Sequence, residues 1–116
     1  MIHAASNAIE LLENGKMMLA QLRPAMLTKY VGTPFEVLDD PSRVFSLTLT
    51  EIVEHVKTER QESFSLFFHG PPGPFVLQGI HKLKHNHLEE MSIFLVPIGQ
   101  DKDGFQYEAV FDHRLK

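Results

Sequence analysis

The sequence predicts an α+β domain in which an N-terminal helical segment precedes an antiparallel sheet of about six short strands. In the first thirty residues, apolar positions recur at spacings of three, four and seven, which is typical of one face of a helix. After Gly32, apolar and polar residues alternate instead. No helical pattern separates the later segments, so the crossover helices that parallel strands need are missing. We expect a meandering antiparallel sheet packed under the helix, or a small, partly open β-barrel.

The helical segment has breaks that limit its length. Its apolar stripe consists of Ile9, Leu12, Leu19, Leu22 and Met26. Asn14-Gly15 is either a helix C-terminus or a tolerated glycine, and Pro24 suits the first turn of a following helix. We therefore predict one long bent helix or two short ones, ending near residues 31–32. The predicted organisation is an N-terminal helical extension over residues 1–22 and a single β-rich domain over 23–116.

The predicted strands are bounded by turn residues. The alternating segments are 35–38, 44–56, 63–68, 79–85, 91–99 and 105–111. The "DDPS" stretch favours a turn after the first strand, and "KTERQE" is expected to be a solvated turn. The "HGPPGP" stretch should interrupt the sheet, because proline cannot donate a ladder hydrogen bond. Asp103-Gly104 favours a tight final hairpin.

Composition narrows the class of protein. The 116 residues contain 22% charged and 43% hydrophobic residues, which is typical of a globular domain. The net charge of −4 disfavours binding to nucleic acid or to an anionic membrane. Absence of cysteine fits a reducing compartment. No apolar run approaches the roughly 20 residues that span a bilayer, and the first residues do not resemble a secretory signal. We expect a cytoplasmic protein that contacts neither membrane nor nucleic acid.

The stretch "GIHKLKHNHLEEM" concentrates histidines and glutamates. Its Gly79, His85 and His87 resemble the start of the cupin metal motif, but the glutamates come too early for that motif. Two imidazoles alone make a weak site, because a zinc site normally has at least three protein ligands. We predict no metal site and no cofactor, and retain His85, His87 and Glu90 as weak metal-ligand candidates.

Acid–base chemistry has one candidate carboxyl. Glu108 should lie on the opposite face of the last strand from Phe105, Tyr107 and Phe111. It is then either a solvated side chain or a buried acid that needs a partner such as His85 or Lys84. No nucleophile, phosphate-binding or dinucleotide motif is present, so we predict no catalytic residue.

The second half of the chain resembles a known family. "ESFSLFFHGP", "LQGIHKLKH" and "MSIFLVPIGQDKDGFQYEAVF" resemble the FSL strand, the Gly/Pro loop and the closing FLVPxGxDxxGxxYEAVF hairpin of a family of small bacterial domains of unknown function. The resemblance covers roughly residues 20 to 116. It implies an intact domain of that fold and an association with phage-tail-collar-like genes, but no activity.

These observations favour a non-enzymatic structural or protein-interaction module that binds a protein partner or forms a homo-oligomer. The alternative is a small metal- or ligand-binding β-barrel that uses His85, His87 and Glu90.

Overall fold

The computed structural model describes residues 22–114 of the chain. It begins with one helical turn, α1 (Pro24–Leu27), which continues into a 3-10 turn (Thr28–Tyr30). Six strands follow: β1 (Pro34–Val37), β2 (Phe45–Lys57), β3 (Gln61–Gly70), β4 (Gly79–His85), β5 (Glu89–Asp101) and β6 (Gly104–Arg114). Proline at the start of α1 agrees with the sequence prediction, since its fixed φ suits a first helical turn. The predicted stripe residues Ile9, Leu12 and Leu19 lie outside the described residues.

The six strands form a closed ring in the order β1-β2-β3-β6-β5-β4. Every neighbouring pair is antiparallel, so the predicted antiparallel sheet is confirmed. The ring consists of two three-stranded meanders joined along β3 and β6 and again along β1 and β4. The second junction is short, because only Glu36 and Val37 of β1 pair with Lys84 and Leu83 of β4. A single hydrogen bond from the Leu38 amide to the Lys82 carbonyl extends it.

The inside of the ring is a continuous apolar core. Its largest fully buried side chains are Phe35, Leu47, Leu49, Phe64, Leu66, Phe68, Leu83, Met91, Ile93 and Tyr107. These residues alternate along their strands with outward-facing ones, as a strand with one buried face requires. The period-two positions identified in the sequence therefore line a shared interior.

The two ends of the ring are covered by different segments. At one end, Leu22 is buried and its carbonyl accepts a hydrogen bond from His113 Nε2 (3.0 Å), while Arg23 forms an ion pair with Glu62 (3.2 Å). At the other end, the loop between β3 and β4 places Val76 over the interior. The Val76 amide donates to the hydroxyl of Tyr107 (3.0 Å), which fixes the loop that contains the "GPPGP" stretch.

The sequence prediction was wrong for the "KTERQE" turn. Gln61 and Glu62 belong to β3, and Glu62 is buried although it is charged. The ion pair with Arg23 compensates that burial, because an acid is rarely buried without a partner. Strand pairing therefore continues beyond the expected end of the strand, and the turn itself shrinks to residues 58–60.

Not every strand is paired along its whole length. β2 pairs with β1 over Phe45–Thr48, and Leu49 adds two backbone hydrogen bonds, from the Gly32 amide (2.6 Å) and to the Thr33 carbonyl (3.1 Å). β6 pairs with β5 only over Gly104–Glu108. The far halves of β2 and β6 thus extend beyond the closed part of the ring, on either side of β3. Within residues 22–114, no helix is both long and apolar enough to cross a membrane.

Candidate functional site

His85 is a buried residue whose two ring nitrogens are both used by the protein itself. It lies near the end of β4 with 3% of its surface exposed. Its Nδ1 accepts a hydrogen bond from the His87 backbone amide (3.0 Å), so the proton of the neutral ring is on Nε2. Nε2 in turn donates to the hydroxyl oxygen of Thr33 (2.9 Å), whose own proton goes to the Tyr30 carbonyl. Burial, and then the proximity of His87, lower the pKa of His85. These contacts define a neutral imidazole that orients the β4–β5 turn.

The three metal-ligand candidates are not brought together. His87 is exposed in the β4–β5 turn and stacks on Tyr30 at a ring distance of 6.0 Å. Its ring lies 5.8 Å from that of His85. Glu90 lies on β5, opposite Lys84 of β4 and one position before the inward-facing Met91. Its side chain therefore faces the opposite side of the sheet from that of His85. Across the described part of the chain, no three His, Asp or Glu side chains are grouped so that they could hold a metal ion.

Glu108 has a partner that the sequence did not reveal. It is half-buried on the outer face of β6, and the Ser65 hydroxyl donates to its Oε2 (2.6 Å). His55 Nε2 lies 2.8 Å from the same hydroxyl oxygen. Because the Ser65 proton goes to the carboxylate, His55 must donate to Ser65. Ser65 is fully buried between the two side chains, so this chain of hydrogen bonds joins β2, β3 and β6 and does not expose the serine as a nucleophile.

A β-bulge brings His55 to this position. The register between β2 and β3 shifts between Glu54 and Val56, so that His55 is the extra residue. Bulges redirect side chains in this way. A strict period-two reading of β2 cannot locate the bulge, and the sequence analysis therefore missed both His55 and Ser65. The only signal in the sequence was the His-containing "VEHV" stretch at the end of an otherwise alternating strand.

His81 holds two connections of the chain together. Its Nδ1 contacts the Asp39 carboxylate, and its Nε2 donates to the Leu77 carbonyl. Burial opposes ionisation of Asp39, but hydrogen bonds from His81 and from the Lys82 amide outweigh it and lower the pKa of Asp39. The β1–β2 connection is thereby fixed to β4, next to the short junction that closes the ring.

The outer face of β4 and β5 carries a group of exposed apolar side chains. Ile80 (73% exposed) and Phe94 (48% exposed) are direct cross-strand neighbours, and Leu77 (70% exposed) precedes them. Val96, which is half-buried, continues the same outward row of β5. We call Leu77, Ile80, Phe94 and Val96 the apolar strip. Large apolar residues scattered singly on a surface need no explanation, but adjacent ones often mark an interaction site.

Charged residues of opposite sign flank the apolar strip. On one side lies Lys82, whose cross-strand neighbour is the uncharged Ser92. On the other side lies Glu108, which is the cross-strand neighbour of Val96. The apolar strip therefore lies between the positively charged Lys82 and the negatively charged Glu108 on this surface.

Comparison with known proteins agrees with the predicted resemblance. Residues 22–111 match the model of a family described as a domain of unknown function (DUF6916). No curated protein and no solved structure matches the chain. The matched segment starts at the first described residue, Leu22, and includes all of β1 to β5 and most of β6. The chain therefore belongs to the DUF6916 family of domains of unknown function.

Proposed function

We propose that this chain is a non-enzymatic structural module whose copies associate through the apolar strip. The observation that carries the proposal is the adjacency of Ile80 and Phe94, both largely exposed and both on the same outer face. Full burial of such side chains is worth about 1.5–3 kcal/mol each, so covering them would contribute substantially to association.

A second copy is the occupant that the charge pattern favours. Lys82 and Glu108 lie at opposite sides of the strip, so a two-fold axis through the Ile80–Phe94 pair would bring Lys82 of one copy to Glu108 of the other. Such an isologous contact uses the same patch on both subunits.

The structure offers less support for the alternative metal- or ligand-binding function. A ligand role for His85 would require breaking its hydrogen bond to the His87 amide or to Thr33. Glu90 faces away from it. We therefore place the function in the outer surface of the ring rather than in the imidazoles.

The proposed association extends to the setting of the protein. The family resemblance implies an association with phage-tail-collar-like genes, and a self-associating module suits the repeated subunits of such an assembly. We propose that the chain acts there as a structural component.

Sedimentation of the purified full chain over a wide concentration range tests the proposal. We expect reversible association that is weakened by Ile80→Asp and by Phe94→Asp, because each places a charge in the covered centre of the contact. Val56→Asp is the matched control, since Val56 is an exposed valine on the outer face of β2. A wild-type chain that stays monomeric at every concentration, or variants that associate as well as the wild type, would contradict the proposal. Circular dichroism verifies that each variant is folded.

A further inference from the structure

His81 is held between two hydrogen-bond acceptors. Its Nδ1 contacts the Asp39 carboxylate in the β1–β2 connection, and its Nε2 lies 2.5 Å from the Leu77 carbonyl oxygen in the loop before β4. An ionised carboxylate and a carbonyl oxygen can only accept hydrogen bonds. Both ring nitrogens must therefore carry a proton to satisfy both contacts, and only the positively charged imidazolium carries two.

The Asp39 carboxyl stays ionised and so remains an acceptor. Its Oδ1 accepts a hydrogen bond from the Lys82 amide (3.1 Å), while its Oδ2 contacts His81. Burial opposes ionisation of Asp39, but these two contacts and the charges of His81 and Lys82 outweigh it and lower the pKa of Asp39. A neutral His81, which has one N–H, could satisfy only one of its two acceptors.

The other elements around His81 supply no group that replaces the missing proton. Asp39 is its ion-pair partner among residues 22–114, and β5 places the apolar Ile93 opposite it. Lys82 follows it on β4 with an exposed side chain, and the loop contributes the Leu77 carbonyl. The His81 side chain is only 16% exposed, so water has limited access to its two nitrogens.

Loss of one proton from His81 should release Leu77 rather than Asp39. A hydrogen bond to a charged acceptor is roughly twice as strong as one between neutral groups, so the remaining proton stays on Nδ1 and faces the carboxylate. The lone pair of Nε2 then faces the Leu77 carbonyl oxygen, and two acceptors repel each other. Leu77 is 70% exposed and belongs to the apolar strip. The protonation state of His81 therefore acts on one end of that strip.

We propose that His81 is a proton-sensitive latch that regulates association through the apolar strip. The inference rests on the self-association proposed above. The imidazolium form holds Leu77 in the strip, whereas loss of a proton releases the Leu77 carbonyl and weakens the contact between copies. Histidine is the side chain that changes charge between about pH 5 and 8, so association should be stronger at the acidic end of that range.

Sedimentation of the full chain at about pH 5.5 and about pH 8 measures the regulation. Burial of a leucine side chain is worth enough to change an association constant about tenfold, so we expect association to be about tenfold weaker at the higher pH. Association that is equally strong at both pH values, or stronger at the higher one, would overturn the proposal.

Asp39→Asn separates the latch from the other histidines of the chain. The amide of an asparagine can donate to Nδ1, so the neutral ring with its proton on Nε2 would satisfy both contacts, and association should stay within about threefold over this pH range. Asp40→Asn is the matched control, because it removes the same charge one residue further on, where the carboxylate accepts from Ser42. It should keep the pH dependence of the wild type. Equal behaviour of the two variants would contradict the latch.

Leu77→Ala tests the other end of the latch at an exposed position that does not contribute to the core. Association of this variant should be weaker than that of the wild type at about pH 5.5 and should change little up to about pH 8, because the side chain that the latch positions is gone. A pH dependence as large as that of the wild type would refute the role of Leu77. Circular dichroism at both pH values verifies that each variant is folded.

Nitrogen NMR of the His81 ring reads the latch without any association, in the full chain carrying Phe94→Asp. Both ring nitrogens should be protonated at about pH 5.5, and the proton that remains at about pH 8 should be on Nδ1, whereas in Asp39→Asn it should be on Nε2. A ring that is neutral at the lower pH, or that keeps its proton on Nε2 at the higher pH, would refute the latch itself. A wild-type chain that never associates would refute the proposed function and its regulation, and the ring spectrum would still decide whether His81 switches.

Discussion

Removal of one buried hydroxyl tests how the loop between β3 and β4 is held over the interior. Tyr107 is fully buried, and its hydroxyl accepts the backbone proton of Val76 at 3.0 Å. Tyr107→Phe keeps the ring in place and removes only this acceptor. The Val76 amide, which belongs to a buried residue, is then left without a partner, and an unsatisfied buried donor costs about 1–3 kcal/mol. Because the variant no longer has to bury a hydroxyl, we expect a loss near the lower half of that range, about 1–2 kcal/mol.

The assay is urea unfolding followed by far-UV circular dichroism, since the chain contains no tryptophan. The midpoint should fall while the dependence of the free energy on urea stays unchanged, because the surface exposed on unfolding is the same. Tyr30→Phe is the matched control, since the Tyr30 hydroxyl has no hydrogen-bond partner among the described residues. It should cost less than about 0.5 kcal/mol. Equal stabilities of the two variants, or unchanged exchange of the Val76 amide in Tyr107→Phe, would refute this account of the loop.

Two further predictions concern His85 and His113, and a close approach between two backbone segments. Burial lowers the pKa of His85 and of His113 below the ordinary value of 6.5, so the unfolded chain binds more protons than the folded chain in mild acid. The free energy of unfolding should therefore be maximal above that pH and should fall as the pH decreases below it. Each histidine contributes a slope of at most about 1.4 kcal/mol per pH unit, and urea titrations between neutral pH and about pH 5 measure that slope. Gly104 has a φ of +145°, and a Cβ there would overlap the carbonyl oxygen of Gly70. Gly104→Ala should lower the free energy of unfolding by more than about 3 kcal/mol. Gly73→Ala is the control, because a Cβ there meets no neighbouring atom, and it should change that free energy by less than about 0.5 kcal/mol. Thermal unfolding compares the two variants.

The apolar interior of the ring is the part of the fold that the sequence predicts best. The alternation of Phe64, Leu66 and Phe68 in one strand, and of Tyr107 and Phe111 in another, is visible in the sequence, and all five side chains are buried. Side chains on successive strand residues point to opposite faces, so a single buried face leaves a period of two in the sequence. The family and the antiparallel pairing followed from the same segments.

Closure of the ring was harder to predict, because few residues form the junction that closes it. Only two residue pairs join β1 to β4, and contacts from His81 to Asp39 and Leu77 reinforce that junction. Asp39 and His81 form no local pattern, because they lie 42 positions apart along the chain. The sequence therefore left a packed sheet and a partly open barrel as alternatives.

The polar contacts escaped prediction for a related reason. Glu108 was recognised as facing away from the interior, yet its partner Ser65 comes from the neighbouring strand and His55 arrives through a bulge. Which residues become cross-strand neighbours depends on register, and a bulge changes that register by one residue. The imidazole of His85 illustrates the converse. Its spacing from His87 made it only a weak metal-ligand candidate, and the structure uses both its nitrogens to fix a turn.

The distribution of apolar side chains supports the proposed association. Inside the ring, the side chains are apolar, and the buried polar ones, Glu62 and His85, have partners within the domain. Outside it, Ile80 and Phe94 are exposed side by side on the outer face of β4 and β5. Another protein surface bound over these side chains would remove them from water, which is the contact that the proposed self-association provides.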